Sequence, residues 1–297
     1  MSSAHAPRRR EAWHPAPTRG AVRTLGGFLR LLELDLAGLR GHEDAFERIR
    51  AGDLQGVIVH GVYPQRLLDE TVERLERRDP PFLQTRFPPE FRSWFYGRNL
   101  NLSAPDLGRY FDEAALFHEQ LAALLPPELG FTSYLAGLLA ALDHGRPFLA
   151  APGPQAGQRY MFTTLRAHHQ GGFIPPHFDN EQNFRPSYRH LRTRVEAHIL
   201  SFVLALTQAE DGGALEVFDL RCEPEDARFL NADGIEGKPD PAHYDAASFR
   251  LPPGSMIILD SGRYLHRLTP VIGARKRWTA CSFMALSRAR DAMYCWG

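Results

Sequence analysis

Lysine is almost missing from this chain: only Lys238 and Lys276 stand among 35 basic side chains, the rest being arginine. That bias reads first as the composition of a GC-rich genome. Cysteine is scarce as well. Cys222, Cys281 and Cys295 are widely spaced and odd in number, which excludes a disulfide framework and a paired-cysteine zinc pattern and makes a reducing cytoplasm the expected compartment. An excess of either charge is also lacking, since 35 acidic residues balance the basic ones. Nothing global therefore directs the protein to nucleic acid or to an anionic membrane surface. No apolar run approaches the roughly 18–20 residues that span a bilayer, and no internal repeat is visible. A chain of 297 residues can bury its own core without a disulfide or a structural metal, so function has to be sought in local constellations.

Three regions are expected along the chain. Residues 1–24, opening with MSSAHAPRRREAWHPAPTRG, lack the apolar stretch of a secretory signal and carry Pro7, Pro15, Pro17 and Gly20, so they read as a mobile N-terminal tail. Residues 25–156 read as a mainly helical support. Phe28, Leu31, Leu32, Leu36, Leu39 and Phe46 recur at helical spacing from Leu25 to Arg50, and further helices fit Gln65 to Arg78, Leu107 to Leu125 and Phe131 to Leu142. One short β-branched run, Gly56 to Val62, interrupts them, and the proline- and aromatic-rich stretch 79–105 is expected to pack as irregular structure. From residue 157 to 297 the pattern changes to short β-rich runs parted by Gly, Pro and Asp: Tyr160 to Ala167, Ala197 to Thr207, Ala214 to Asp219, Ser255 to Leu259 and Arg277 to Leu286. Runs of this kind suggest an antiparallel sandwich or barrel.

Chemistry concentrates in Gly172-Phe173-Ile174-Pro175-Pro176-His177-Phe178-Asp179-Asn180. Side chains alternate across a strand, so His177 and Asp179 point one way and Phe178 the other. An imidazole and a carboxylate then converge. A third ligand has to come from a distant strand, and His266, within Leu265-His266-Arg267-Leu268, is the best candidate among the 13 histidines. Two histidines and one carboxylate on one side of a metal leave its remaining positions open, which suits iron(II).

The order of these segments resembles the 2-oxoglutarate and iron(II)-dependent dioxygenase superfamily, in particular its prolyl-hydroxylase-like branch, over roughly residues 158–287. The strand before the site (Tyr160 to Leu165), His177-Phe178-Asp179, Ser201 to Leu206, the glycine pair Gly212-Gly213 and the block from Pro253 to Arg277 all fall in the family's order. The resemblance implies an α+β chain whose C-terminal part is a double-stranded β-helix, or jelly-roll barrel, with the N-terminal helices packed on its outside. It implies iron(II) on His177, Asp179 and His266, with 2-oxoglutarate and O₂ as cosubstrates. It also implies an arginine after the second histidine, whose planar guanidinium pairs with the far carboxylate of 2-oxoglutarate. Arg275 and Arg277 compete for that place. Arg277 is favoured because Arg277-Trp278-Thr279 matches the family's arginine-x-serine/threonine pairing, which gives Thr279 the same carboxylate.

A halogenase of the same superfamily would carry a small residue in place of the carboxylate, so Asp179 favours oxygenation. The expected enzyme is a dioxygenase that hydroxylates a C–H bond of a small molecule or natural-product intermediate. Hydroxylation of a protein or peptide side chain is the alternative within the superfamily, and a non-oxidative cupin-like metal-binding module the alternative outside it. Two insertions, Asn180 to Glu196 with Arg185, Arg189, Arg192 and Arg194, and Arg221 to Phe249, are expected to cover the open side of the metal. Asn180, His168, His169 and Gln170 are candidates for its mouth.

Overall fold

Strand alternation divides most of the buried apolar residues of this protein between two large clusters, with a third, smaller one around Phe178. In the computed structural model, which describes residues 10–12, 20–103, 107–226 and 240–297, eight strands frame the C-terminal half. They are β1 (Thr164–His168), β2 (Ile174–His177), β3 (Leu200–Ala205), β4 (Leu215–Arg221), β5 (Ala246–Phe249), β6 (Met256–Leu259), β7 (Tyr264–Leu268) and β8 (Arg277–Leu286). The order β6-β3-β8-β1 lies within an eleven-stranded sheet and β5-β4-β7-β2 within a five-stranded one. Every pairing among these eight is antiparallel. The chain thus crosses repeatedly from one sheet to the other.

On β3, β6 and β8 the outward residues Phe202, Leu204, Met256, Ile258, Trp278 and Ala280 join a large cluster. Helices α1 (Ala45–Ala51), α2 (Gln65–Arg77), α3 (Gly108–Ala122) and α4 (Ser133–Ala141) bury Phe46, Leu68, Phe117 and Leu139 in the same cluster. The alternate residues Ala205, Ile257 and Leu259 face the other way and pack with Val217, Ala247 and Phe249 of the smaller sheet. A strand buried on both sides needs close-fitting partners. Ile258, fully buried opposite Phe202 and Val57, is therefore sensitive: Ile258→Ala is expected to cost about 2–5 kcal/mol in urea unfolding.

The N-terminal regions differ from expectation. Leu29–Asp35 is a strand rather than part of a helix, paired antiparallel with Ala21–Leu25 and parallel with Gly56–His60. The last of these runs antiparallel to β6, so residues 25–156 extend the large sheet as well as supplying helices. Gly56 permits the close fit, since a Cβ there would stand 2.5 Å from the Ile258 carbonyl oxygen. Within 79–105, Gln84–Arg86 and Ser93–Tyr96 are also strands, the second paired with β1. The expected tail is tied down where it is described: Arg10–Ala12 runs parallel to β5, and the Glu11 carboxylate accepts the Gly26 amide at 2.7 Å. The rest of that segment (1–9 and 13–19), and 227–239 of the second insertion, lie outside the described residues. Among the described residues no helix is long and apolar enough to cross a membrane.

Candidate metal centre and flanking cavities

Where β2 and β7 pair, His177 and His266 are direct cross-strand partners, and their rings lie 4.2 Å apart, centroid to centroid. The β2 ladder ends at His177. Phe178 stays extended and is buried against Phe218, Ala246 and Leu265, so the alternation that turns His177 and Asp179 to the same side persists one residue past the ladder. Asp179 then opens a 3-10 turn, Asp179–Phe184. Its Oδ1 lies 3.5 Å from His177 Nε2 and 3.9 Å from His266 Nε2. One ligand atom from each of the three residues falls within 4.8 Å of the others.

The proton positions suit a metal. His177 Nδ1 is 2.8 Å from the Pro175 carbonyl oxygen and His266 Nδ1 is 3.0 Å from that of Tyr264. A carbonyl only accepts, so each Nδ1 carries a hydrogen and Nε2 is the nitrogen left to meet a metal. Burial pushes the Asp179 carboxyl up, but the two imidazoles beside it more than offset this and hold it below the usual carboxylate range. The carboxylate is buried and ionised, without a lysine or arginine ion pair.

The turn before β7 is braced from three sides. Asp260 accepts hydrogen bonds from Arg263 Nε at 2.8 Å and, through its other oxygen, lies 2.7 Å from His198 Nε2. Arg263 also donates to the Ile49 carbonyl at the end of α1. Gly262 is required by proximity, since a Cβ there would lie 2.3 Å from both Asn180 Oδ1 and the Ile199 carbonyl oxygen. Asn180 is fully buried and its Oδ1 accepts the Ile199 amide at 3.0 Å, which makes it a brace between the Asp179 turn and the entry to β3 rather than part of a mouth. His168 is buried, Gln170 is exposed, and His169 packs on Trp94 with ring centroids 3.9 Å apart.

Two cavities meet at the His177–Asp179 edge. The inner one, about 100 Å³, is lined by the triad, Ser201 and Val203 of β3, and the inward residues Arg277, Thr279 and Cys281 of β8. Among the described residues Arg277 makes no ion pair or side-chain hydrogen bond. Burial pushes its guanidinium down to about 10, which leaves it protonated at neutral pH. Arg275 instead lies exposed on the turn before β8 with its amide bonded to the Glu210 carboxylate, and Lys276 pairs with Glu76.

The outer cavity, about 350 Å³, shares Phe95, Asn99, Arg166, Ile174 and Phe283 with the inner one. Arg166, on β1, stacks its guanidinium 3.9 Å from the Phe95 ring centre. Sequence reasoning passed over Arg166, Phe95 and Asn99. The parity of Arg166 with Thr164 was visible, but the inward face of β1 is defined only by its register with β8, where Thr279 stands opposite Arg166.

The family described as carrier-protein-independent halogenase WelO5 matches residues 28–297. No curated protein sequence matches the chain. Among solved structures, an N-substituted L-amino acid dioxygenase from Burkholderia ambifaria AMMD is similar at 15% identity, over 86% of this chain and 91% of that one, with a TM-score of 0.54. The same dioxygenase in complex with alpha-KG is similar at 13% identity, over 85% and 90%, with a TM-score of 0.53.

Proposed function

Because the chain belongs to the carrier-protein-independent halogenase WelO5 family, an iron- and 2-oxoglutarate-dependent group, we propose that this member is an oxygenase that hydroxylates a C–H bond of a small molecule or natural-product intermediate. The observation that carries the reading is Asp179. A halide can sit on the iron beside two histidines only where no carboxylate fills that place, and here the carboxylate stands within 4 Å of both Nε2 atoms. The donor set fits iron(II): two imidazoles whose Nδ1 positions are occupied by backbone carbonyls and one carboxylate, all on one side.

In this reading His177, Asp179 and His266 hold the metal, and residues 157–297 form a double-stranded β-helix with the N-terminal helices outside the large sheet. Arg277 takes the far carboxylate of 2-oxoglutarate in a charge-assisted pair, with the Thr279 hydroxyl beside it. Iron and 2-oxoglutarate, when bound, supply the activation of O₂, with succinate and CO₂ as by-products. The chain's own part is to orient and to exclude water. Val203, Leu215, Leu268 and Phe283 line the inner cavity, and an apolar wall of this kind strengthens the electrostatic pairing of Arg277 with its anion.

The test is product analysis. Anaerobically iron-loaded protein given 2-oxoglutarate, O₂ and excess chloride or bromide is expected to release succinate, and with a substrate to yield oxygenated product free of halogen. Halogen in the product would overturn the assignment. So would the absence of iron-dependent succinate with every substrate class.

A further inference from the structure

Cosubstrate binding leaves two cations of the site, Arg166 and Arg185, without a task, and the Nε of each is buried without a hydrogen-bond partner. Of the four arginines in the first insertion, Arg189, Arg192 and Arg194 are exposed, and only Arg185 lines the outer cavity. It directly follows the 3-10 turn that begins with Asp179, so one short turn carries the carboxylate at its start and the guanidinium just past its end. The Nε of Arg185 is buried without a hydrogen-bond partner, and the side chain makes no ion pair among the described residues. The nearest acid in sequence, Glu181, accepts the Phe178 amide at 2.9 Å. Arg166 belongs to both cavities and is close enough to Asp179 to feel its charge, whereas Arg185 lines the outer cavity alone. Around it the wall is aromatic: Phe87, Phe91, Phe173 and Phe283 contribute, with Phe91 and Phe173 in tilted contact at 5.6 Å.

Arg185 is half-buried, and its shielded Nε, a donor without a protein partner, favours a ligand that completes it. A single planar fork suits a carboxylate, which it can meet with two parallel hydrogen bonds. A dianionic phosphate would in addition face Asp179 and Glu181, both in the lining. We infer that the outer cavity takes a substrate bearing a carboxylate on an aromatic body, with Arg185 pairing to that carboxylate and the phenylalanines covering the body. What becomes of the bound molecule rests on the oxygenase reading above; its recognition does not.

Indole-3-propionate and its primary amide serve as probes, titrated calorimetrically into the full chain under anaerobic conditions with iron(II) and saturating 2-oxoglutarate, so that Arg277 is occupied. The acid is expected to bind at least about tenfold more tightly than the amide, the ratio that a charge-assisted pair typically contributes. Arg185→Leu should weaken only the acid and erase the difference, Arg185→Lys should retain part of it, and 2-oxoglutarate affinity should stay unchanged in both. Equal binding of acid and amide to the unaltered chain, an acid preference that survives Arg185→Leu, or no binding of the acid overturns the inference. The two readings fail separately. An acid preference in a chain that forms no succinate removes the oxygenase reading alone, and succinate formation without an acid preference removes the carboxylate substrate alone.

Discussion

Asp179→Ala is expected to lose more than about a hundredfold in 2-oxoglutarate turnover while the protein stays folded. Removing even the outer partners of metal ligands typically costs about 10–100-fold, and here an anionic ligand itself would go. Folding should survive because the Asp179 side chain holds no strand together: the ladder ends at His177, and the Asp179 amide, which donates to the Ser261 carbonyl at 3.0 Å, is retained. A buried carboxylate crowded by two imidazoles also carries a desolvation cost that alanine removes. Succinate release and iron content after anaerobic dialysis provide the readout, with circular dichroism as the control. Turnover retained by a folded variant without added metal would remove Asp179 from the ligand set.

The second large effect is expected at Arg277. Arg277→Leu should raise the KM for 2-oxoglutarate by about a hundredfold, the loss of two charge-assisted hydrogen bonds at roughly 1.5–3 kcal/mol each being partly recovered by apolar contact. The melting temperature of the same variant should hold or rise. The guanidinium has no partner to lose among the described residues, and an unpaired cation between packed sheets is a burden on the unliganded fold. A structural role predicts the opposite, a lowered melting temperature with an unchanged KM. Measuring both on one variant therefore separates the two, and Arg275→Leu, on the exposed turn, should change neither.

The convergence of the candidate ligands was legible because its signals are local. His177-Phe178-Asp179 needs only strand parity, and Arg277-Trp278-Thr279 repeats the pattern on β8, where Trp278 points to the helical side and Thr279 to the cavity. The strand Leu29–Asp35 was not legible, for a physical reason. It is flanked by strands on both edges and buried on both faces, Leu31 in one core and Leu32 and Leu34 in the other. Its sequence, LRLLELD, has leucines on both faces with charged residues among them, so the strict alternation of a half-buried strand is broken and the leucines fit helical spacing as well. Ser93–Tyr96 was hidden differently, being four residues long among prolines. Yet this strand places Phe95 under Arg166 and in both cavities.

The two kinds of ligand are anchored to different degrees. His177 and His266 are locked opposite each other in a strand ladder, and shifting either would slip a register on which the sheet depends. Asp179 sits one step beyond that ladder, on a turn whose backbone bonds do not involve its side chain. The scaffold can therefore exchange this one position without reworking the sheets. On the proposed oxygenase reading, substituting this single position would alter what the metal can bind while everything that fixes the histidines stays as it is.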